Sequence, residues 1–409
     1  MSSKILFFFP HNPYPARSGA HKRCLEMLSG LRELGFQVTL MSSPLSSETS
    51  WTTASIEALK ANWVTDVSIY EPTRLERKSL SVLHRYYRYT KQTPPISSWL
   101  NTPLGMRQWF DKEFRIIKPD TIFMNYAYWD KLFSSSKFSS ARKIMDSLDL
   151  VTLNAAMQGA IKEHLIAPIS PTAAIDQSVL KEDFFDHLNL ETSPEEFAVF
   201  DHYDHTIVIS SKETELVKSK TSKTQVVYIP VLQPAYYLNN QYKSAALFAT
   251  GPNLFNLQGY LYFIKRVLPL VLEQDPTFLL QVTGSCCKEV YPTDGVLLSG
   301  YVPSLTDLYQ TAKFSICPVF GGTGQQIKIV EAMAHGLPVV ATCFAGERSP
   351  IIHNENGFLA NDAAEFAAYV LQLWSDRDLC QRLGANARET IASSFSRDRL
   401  IKDLSAIVH

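Results

Sequence analysis

Lys328 and Glu331 stand three residues apart, directly behind three closely spaced glycines, Gly321, Gly322 and Gly324. Residues at that spacing share one face of a helix, so an ammonium and a carboxylate project together. Glycines ahead of a helix let the backbone turn sharply and approach a ligand closely. The free N–H groups and the helix dipole at such a point favour an anion, above all a phosphate. In that setting Lys328 can neutralise a diphosphate while Glu331 accepts hydrogen bonds from two vicinal hydroxyls, as on a ribose. Taken alone, the two residues are equally an i,i+3 ion pair on a solvated face. The glycine loop in front of them favours a nucleotide-diphosphate site.

The elements that must position this pair are legible around it. Residues 314–319 read as a buried strand, 325–335 as a helix ended by Gly336 and Pro338, and 338–342 as the next strand, which together make a βαβ unit. The same alternation runs through the chain. A strand over 4–10 leads into the loop 11–19, a helix over 20–34 and a strand over 37–41, with Gly19 and Arg23 at the helix entrance facing any anion above the sheet. No Gly-Xaa-Gly-Xaa-Xaa-Gly fingerprint is present, which argues against a nicotinamide cofactor. Further alternation to residue 229 predicts a doubly wound sheet, with 167–191 as a less regular insertion. Residues 230–243 read as a linker. A second α/β pattern begins at 244, with Gly251 in a loop and Asn256 as the N-cap of a helix over 257–273. The expected division is 1–229, 230–243, 244–393, and a last helix within 394–409 that returns to the first domain.

These residues carry a resemblance. From 248 to 362 the chain is similar to GT-B glycosyltransferases, and within them to the large retaining family four, the glycosyl transferases group 1. Glu331 matches the second of two glutamates in that family's donor signature, and Gly336-Leu337-Pro338-Val339-Val340 matches the strand behind it. Thr323 stands where the first glutamate is common, as in branches with Gly-Thr-Gly before a lysine-bearing helix. The turn Gly300-Tyr301-Val302 lies against the nucleotide base in similar proteins. In the first domain the likeness rests on the opening loop, on Asp146-Ser147-Leu148-Asp149 and on Glu213. Leu148 takes the place of a histidine, which leaves Asp149 either facing a sugar or capping the following helix.

The resemblance implies two Rossmann-like doubly wound domains facing a cleft, the acceptor held by the first and the donor by the second. It implies retaining transfer from a nucleotide-diphosphate sugar to a carbohydrate, lipid-linked or small-molecule acceptor, with no cofactor. Lys328, Asp149 and Arg23 take catalytic roles in this reading. Donor contacts fall to Gly19, Gly251, Asn256, Gly300, Tyr301, Val302, Gly322, Thr323, Gly324, Gln325, Lys328 and Glu331, with Gly19 and Arg23 completing the phosphate site on domain closure. The alternatives on the same fold are a nucleotide-sugar epimerase or hydrolase and a catalytically silent nucleotide-sugar binding protein.

Composition narrows the partners. A net charge of −1 gives no global field to recruit nucleic acid. Six cysteines show no zinc or disulfide spacing, and the start lacks a signal-peptide pattern, so a reducing, cytoplasmic setting is expected. Asp376-Arg377-Asp378 has the form of a metal motif but sits between two predicted helices, and a helix-connecting turn is favoured, leaving no metal ligands. Residues 74–91 are rich in basic and aromatic side chains. A solvated helix with a packed tyrosine face is the favoured reading there. The other is peripheral contact with an anionic bilayer, at the inner face of the membrane, or with an acidic glycan.

Overall fold

Parallel strands whose two faces are both covered read as continuous apolar runs, and KILFF, TIFMN and ALFAT are such runs. They form the centres of two parallel sheets, one of seven strands and one of six. The computed structural model describes residues 3–44, 50–90, 96, 100–132, 140–165, 176–188, 190, 192–251 and 253–409. The chain folds into two compact units. The first comprises Met1–Thr152, Thr192–Leu232 and Arg397–His409; the second comprises Leu153–Glu191 and Gln233–Ser396.

The first unit's elements run β1 (Lys4–Phe8), α1 (Gly19–Glu33), β2 (Gln37–Ser42), α2 (Thr53–Asn62), β3 (Asp66–Ile69), α3 (Arg74–Thr90), α4 (Leu104–Ile117), β4 (Thr121–Asn125) and β5 (Arg142–Asp146). The helix α5 (Val151–His164) begins here and continues into the second unit, and the first unit resumes with α6 (Pro194–Phe200), β6 (His205–Val208), α7 (Ser211–Lys220) and β7 (Gln225–Tyr228). Strand order is β3-β2-β1-β4-β5-β6-β7, so the direction of winding reverses between β1 and β4. Ile5 pairs with Val38 on one side and with Thr121 on the other, and the rings of Phe7 and Phe123 stack at 4.8 Å.

The second unit contains β8 (Ala246–Thr250), α8 (Leu254–Tyr262), α9 (Leu268–Gln274), β9 (Leu280–Gly284), β10 (Val296–Gly300), α10 (Thr306–Thr311), β11 (Ser315–Cys317), α11 (Ile327–Ala334), β12 (Val339–Thr342), α12 (Cys343–Gly346), β13 (Gly357–Ala360), α13 (Ala363–Ser375) and α14 (Arg377–Ser394). Its order, β10-β9-β8-β11-β12-β13, reverses between β8 and β11. The single helix expected over 257–273 is divided: a π-helical turn over Phe263–Val267 separates α8 from α9. Pro269 has no N–H to give to the preceding turn, and a wide turn accommodates that loss. The last helix, α15 (Arg397–Val408), packs on α1 in the first unit, with Leu400, Leu404 and Ile407 beside Leu28 and Leu31 in its core.

Membership of 153–191 differs from the expected division at 229. This segment belongs to the second unit because Gln258 donates to the Val179 carbonyl at 2.9 Å, Tyr262 to Glu182 Oε1 at 2.7 Å and Arg266 to the Leu180 carbonyl at 3.0 Å. Phe185 also meets Phe255 edge to face at 6.3 Å. Of the predicted insertion, 167–175 lies outside the described residues. No helix of the described residues is long and apolar enough to cross a membrane.

Candidate functional site

In an open parallel sheet, the crevice for a ligand forms at the carboxyl ends of the strands where winding reverses. In the second unit that point is between β8 and β11, and the loops leaving them are those of Gly251 and of 318–326. The second loop carries the glycines. Gly322 has φ +105°, a conformation that a side chain resists. Gly321 is there for packing, since a Cβ on it would come within 2.3 Å of the Phe255 ring. Thr323, Gly324 and Gln325 are buried although they lie in a loop.

The loops are tied together by one side chain. Asn253 caps α8, accepting from the Asn256 N–H at 3.1 Å, so Asn256 is a first-turn residue and not the cap that its sequence position suggested. From there the Asn256 amide donates to the Gly251 carbonyl at 3.1 Å and to Asn253 Oδ1 at 2.8 Å, while its own oxygen accepts from the Lys328 ammonium. Lys328 thus stands at the reversal point, half-buried, with its Nζ 5.7 Å from the centre of the Phe248 ring. Desolvation lowers its pKa, offset in part by the thiols of Cys317 and Cys286. Burial in turn pushes the Cys286 thiol up to about 12, so these sulfurs pack rather than react.

Among the described residues Lys328 forms no ion pair, with Glu331 or any other carboxylate. Glu331 turns instead toward Tyr309, whose fully buried hydroxyl is pushed well above its ordinary pKa by burial and then by this carboxylate. His335, one turn on, is stacked between Tyr309 at 4.5 Å and Tyr236 at 4.3 Å. An ammonium drawn out of water and held by a neutral amide is suited to receive an anion, because an unneutralised charge is unfavourable away from solvent. Gly300 ends the edge strand β10 with φ +65°; Tyr301 beyond it is 80% exposed and Val302 half-buried. The Asn256 and Lys328 hydrogen bonds do not reach this turn.

The first unit places its expected residues differently. Gly19 opens α1, whose N-cap Ser18 accepts from the His21 N–H at 3.3 Å. Arg23 is 2% exposed: Nε donates to Asp146 Oδ2 at 2.7 Å, Nη2 to Oδ1 at 3.2 Å and Nη1 to the Pro230 carbonyl at 3.0 Å. A guanidinium committed in this way to the interior holds the end of β5 in place, in contrast to the phosphate contact expected of it. Asp149 is half-buried, two residues before α5, and the α5 N-terminus is held by the Glu196 carboxylate, which accepts from the Val151 N–H at 2.8 Å. Leu148 before it has φ +61° and Tyr126, just past β4, has φ +65°. Left-handed backbone at non-glycine residues, at the carboxyl ends of adjacent strands, is the kind of strain that functional sites retain.

Two histidines beside the first unit's reversal point were not singled out by the sequence pattern. His11 and His21 lie with ring centres 6.0 Å apart, and Phe9 touches both and also Tyr126. Their signal was present in the way they flank the proline-rich loop after β1. Asp376 caps α14, accepting from the Leu379 N–H at 2.8 Å, which accounts for the Asp-Xaa-Asp pattern.

Residues 245–376 match the family model described as Glycosyl transferases group 1. Every second-unit site residue, from Gly251 to Glu331, lies inside the matched stretch. A 44.6 kDa protein encoded in the cps region of Klebsiella pneumoniae is 22% identical over 244 residues, 56% of this chain and 62% of that protein. The chain therefore spans about three fifths of the length of this relative. Among solved structures, TarM of S. aureus is similar with a TM-score of 0.67 at 10% identity, covering 100% of this chain and 99% of its own. The pneumococcal O-GlcNAc transferase GtfA, solved with UDP and GlcNAc, has a TM-score of 0.61 at 10% identity over 100% of this chain and 99% of that one. The fold is GT-B.

Proposed function

We propose that this protein is a glycosyltransferase that moves a sugar from a nucleotide-diphosphate sugar to an acceptor hydroxyl with retention of anomeric configuration. The observation that carries the reading is Lys328, a desolvated ammonium held by Asn256 at the reversal point of the second unit's sheet, with no carboxylate partner among the described residues. A diphosphate supplies the missing negative charge. The amides of Gly322 to Gly324 and Lys328 stabilise the charge that grows on the diphosphate as the bond from the anomeric carbon to its oxygen breaks. Glu331 accepts from the ribose hydroxyls, and Tyr301 offers an exposed ring to the base. On the same face of the sugar the acceptor oxygen bonds to the anomeric carbon. Its proton passes to an oxygen of the departing diphosphate, so no side-chain base is required and Asp149 positions rather than deprotonates. Similarity to GtfA, solved with UDP and GlcNAc, makes uridine nucleotides the first donors to test.

Incubation of the purified protein with UDP-sugars and an acceptor pool, followed by proton NMR of the new linkage, tests the proposal. The expected product keeps the donor's anomeric configuration, Asp149→Asn still transfers, and a chelator leaves the rate nearly intact because Lys328 carries the charge. Inversion in the product, or near-total loss in Asp149→Asn, points to a side-chain base. Restoration of a chelated enzyme by magnesium or manganese overturns the role given to Lys328.

A further inference from the structure

Helix α3 is seventeen residues long and none of its side chains is buried. At 100° per residue, Glu76, Leu80, Leu83, Tyr87 and Thr90, all only partly exposed, fall on one side and mark the face laid against the first unit. Glu76 anchors that face, accepting from the Tyr70 hydroxyl at 2.8 Å and the Gly105 N–H at 3.1 Å. About 110° around the helix from that face runs an apolar line in open solvent: Leu75 (75% exposed), Val82 (65%), Tyr86 (53%) and Tyr89 (90%). Arg74, Lys78 and Arg85 form a cationic line beside it, opposite the packed face. Past that line, Arg77, His84 and Arg88 line a groove of about 470 Å³ together with Pro72. Glu76, on the packed side, is the helix's only acid.

We infer that α3 is a docking surface for an anionic phospholipid bilayer, lying in its plane. The match is one of charge and of layering. Four exposed apolar side chains reach the same depth, and the flanking arginines and lysine extend from just that depth to where phosphate headgroups sit, their stems lying along apolar surface. Tyrosine suits this boundary because its ring is apolar and its hydroxyl polar. With a net charge of −1 over the chain, the attraction resides in the patch and not in a global field. A bilayer contact of this kind is separate from sugar transfer and is measured without donor or acceptor. If the transfer reading also holds, the surface favours an acceptor carried in the membrane.

The test is sedimentation of the full chain with vesicles of phosphatidylcholine alone or mixed with phosphatidylglycerol, at low and high salt. Binding is expected only to the anionic vesicles and is expected to fall steeply with salt. Neutralising three cations as Arg74→Gln, Lys78→Gln and Arg85→Gln should lower the partition coefficient about a hundredfold. Leu75→Ser with Tyr89→Ser should weaken binding and make what remains fully salt-reversible. All five side chains are exposed, so thermal unfolding of both variants should match the parent. Equal binding to neutral vesicles, or an unchanged partition in the triple variant, overturns the inference. So does a heparin-type polyanion that binds the parent and not the triple variant while anionic vesicles bind neither, which assigns the patch to an acidic glycan.

Discussion

Arg23→Ala separates the two roles that a buried arginine in this position can have. The substitution removes three hydrogen bonds, two to Asp146 and one to the Pro230 carbonyl. It leaves Asp146, 0% exposed, as a carboxylate with no counter-charge. Removing one half of a buried ion pair costs about 3–5 kcal/mol, and a carbonyl left without its donor adds about 1 kcal/mol. A total near the middle of the resulting range, about 5 kcal/mol, lowers the melting temperature of a unit of this size by roughly 10–20 °C. The compensated pair Arg23→Met with Asp146→Leu should recover most of it, because both desolvation terms disappear together. The assay is thermal unfolding by circular dichroism, with UDP affinity measured by calorimetry at a temperature where parent and variant are folded. A lower melting temperature with nearly unchanged affinity is expected. A melting temperature within about a degree of the parent's, with affinity down tenfold or more, refutes the reasoning and restores Arg23 to the phosphate site.

Lys328→Met and Glu331→Ala should each weaken nucleotide-diphosphate binding about ten- to a hundredfold while leaving the fold intact, since each loses a charge-assisted hydrogen bond; calorimetry that finds parent affinity in both variants places the nucleotide elsewhere. Because desolvation lowers the Lys328 pKa and a bound diphosphate reverses that, binding at alkaline pH should take up protons in the parent and not in Lys328→Met, read from the buffer dependence of the heat. Glu26 has its pKa raised to about 7, chiefly by burial, against the pull of Arg23. A raised carboxylate pKa stabilises the fold below the unfolded value near 4.5, and that contribution is lost as pH climbs to about 7. Glu26→Gln should therefore flatten the decline and, at pH 8, exceed the parent by up to about 3 kcal/mol in urea unfolding.

All the strands of both sheets except β13 were legible, because a short apolar run bounded by turn residues is all that a parallel sheet buried on both faces asks for. Weaker elements escaped. The run Gly357–Ala360 is only four residues, between Asn354-Glu355-Asn356 and Asn361-Asp362, and α12 is a single turn after β12. Asn253 and Asn256 are both credible caps ahead of one apolar run, and only the backbone decides between them. The spacing of Lys328 and Glu331 was readable, whereas their separate partners were not: the amide that takes Lys328 lies 72 residues earlier in the chain. Arg23 is the same case at a separation of 123 residues. Local pattern shows which side chains could meet a ligand. Whether the protein itself has already claimed them is settled by contacts between distant segments.

The placement of α15 has a consequence for how the molecule is made. The first unit is discontinuous, and its final piece is Arg397–His409. Leu404 sits where a β-carbon on Gly30 would come within 2.8 Å of it, Arg397 pairs with Glu33 at 2.6 Å, and Arg142 donates to the Ile407 carbonyl at 3.0 Å. During synthesis the amino-terminal sheet therefore emerges with one side of α1 uncovered, and the whole of the second unit leaves the ribosome before the helix that covers it. Until α15 docks, an apolar strip of α1 containing Leu28 and Leu31 is open to solvent and to chaperones, so the first unit is closed by a segment that follows the whole second unit in the chain.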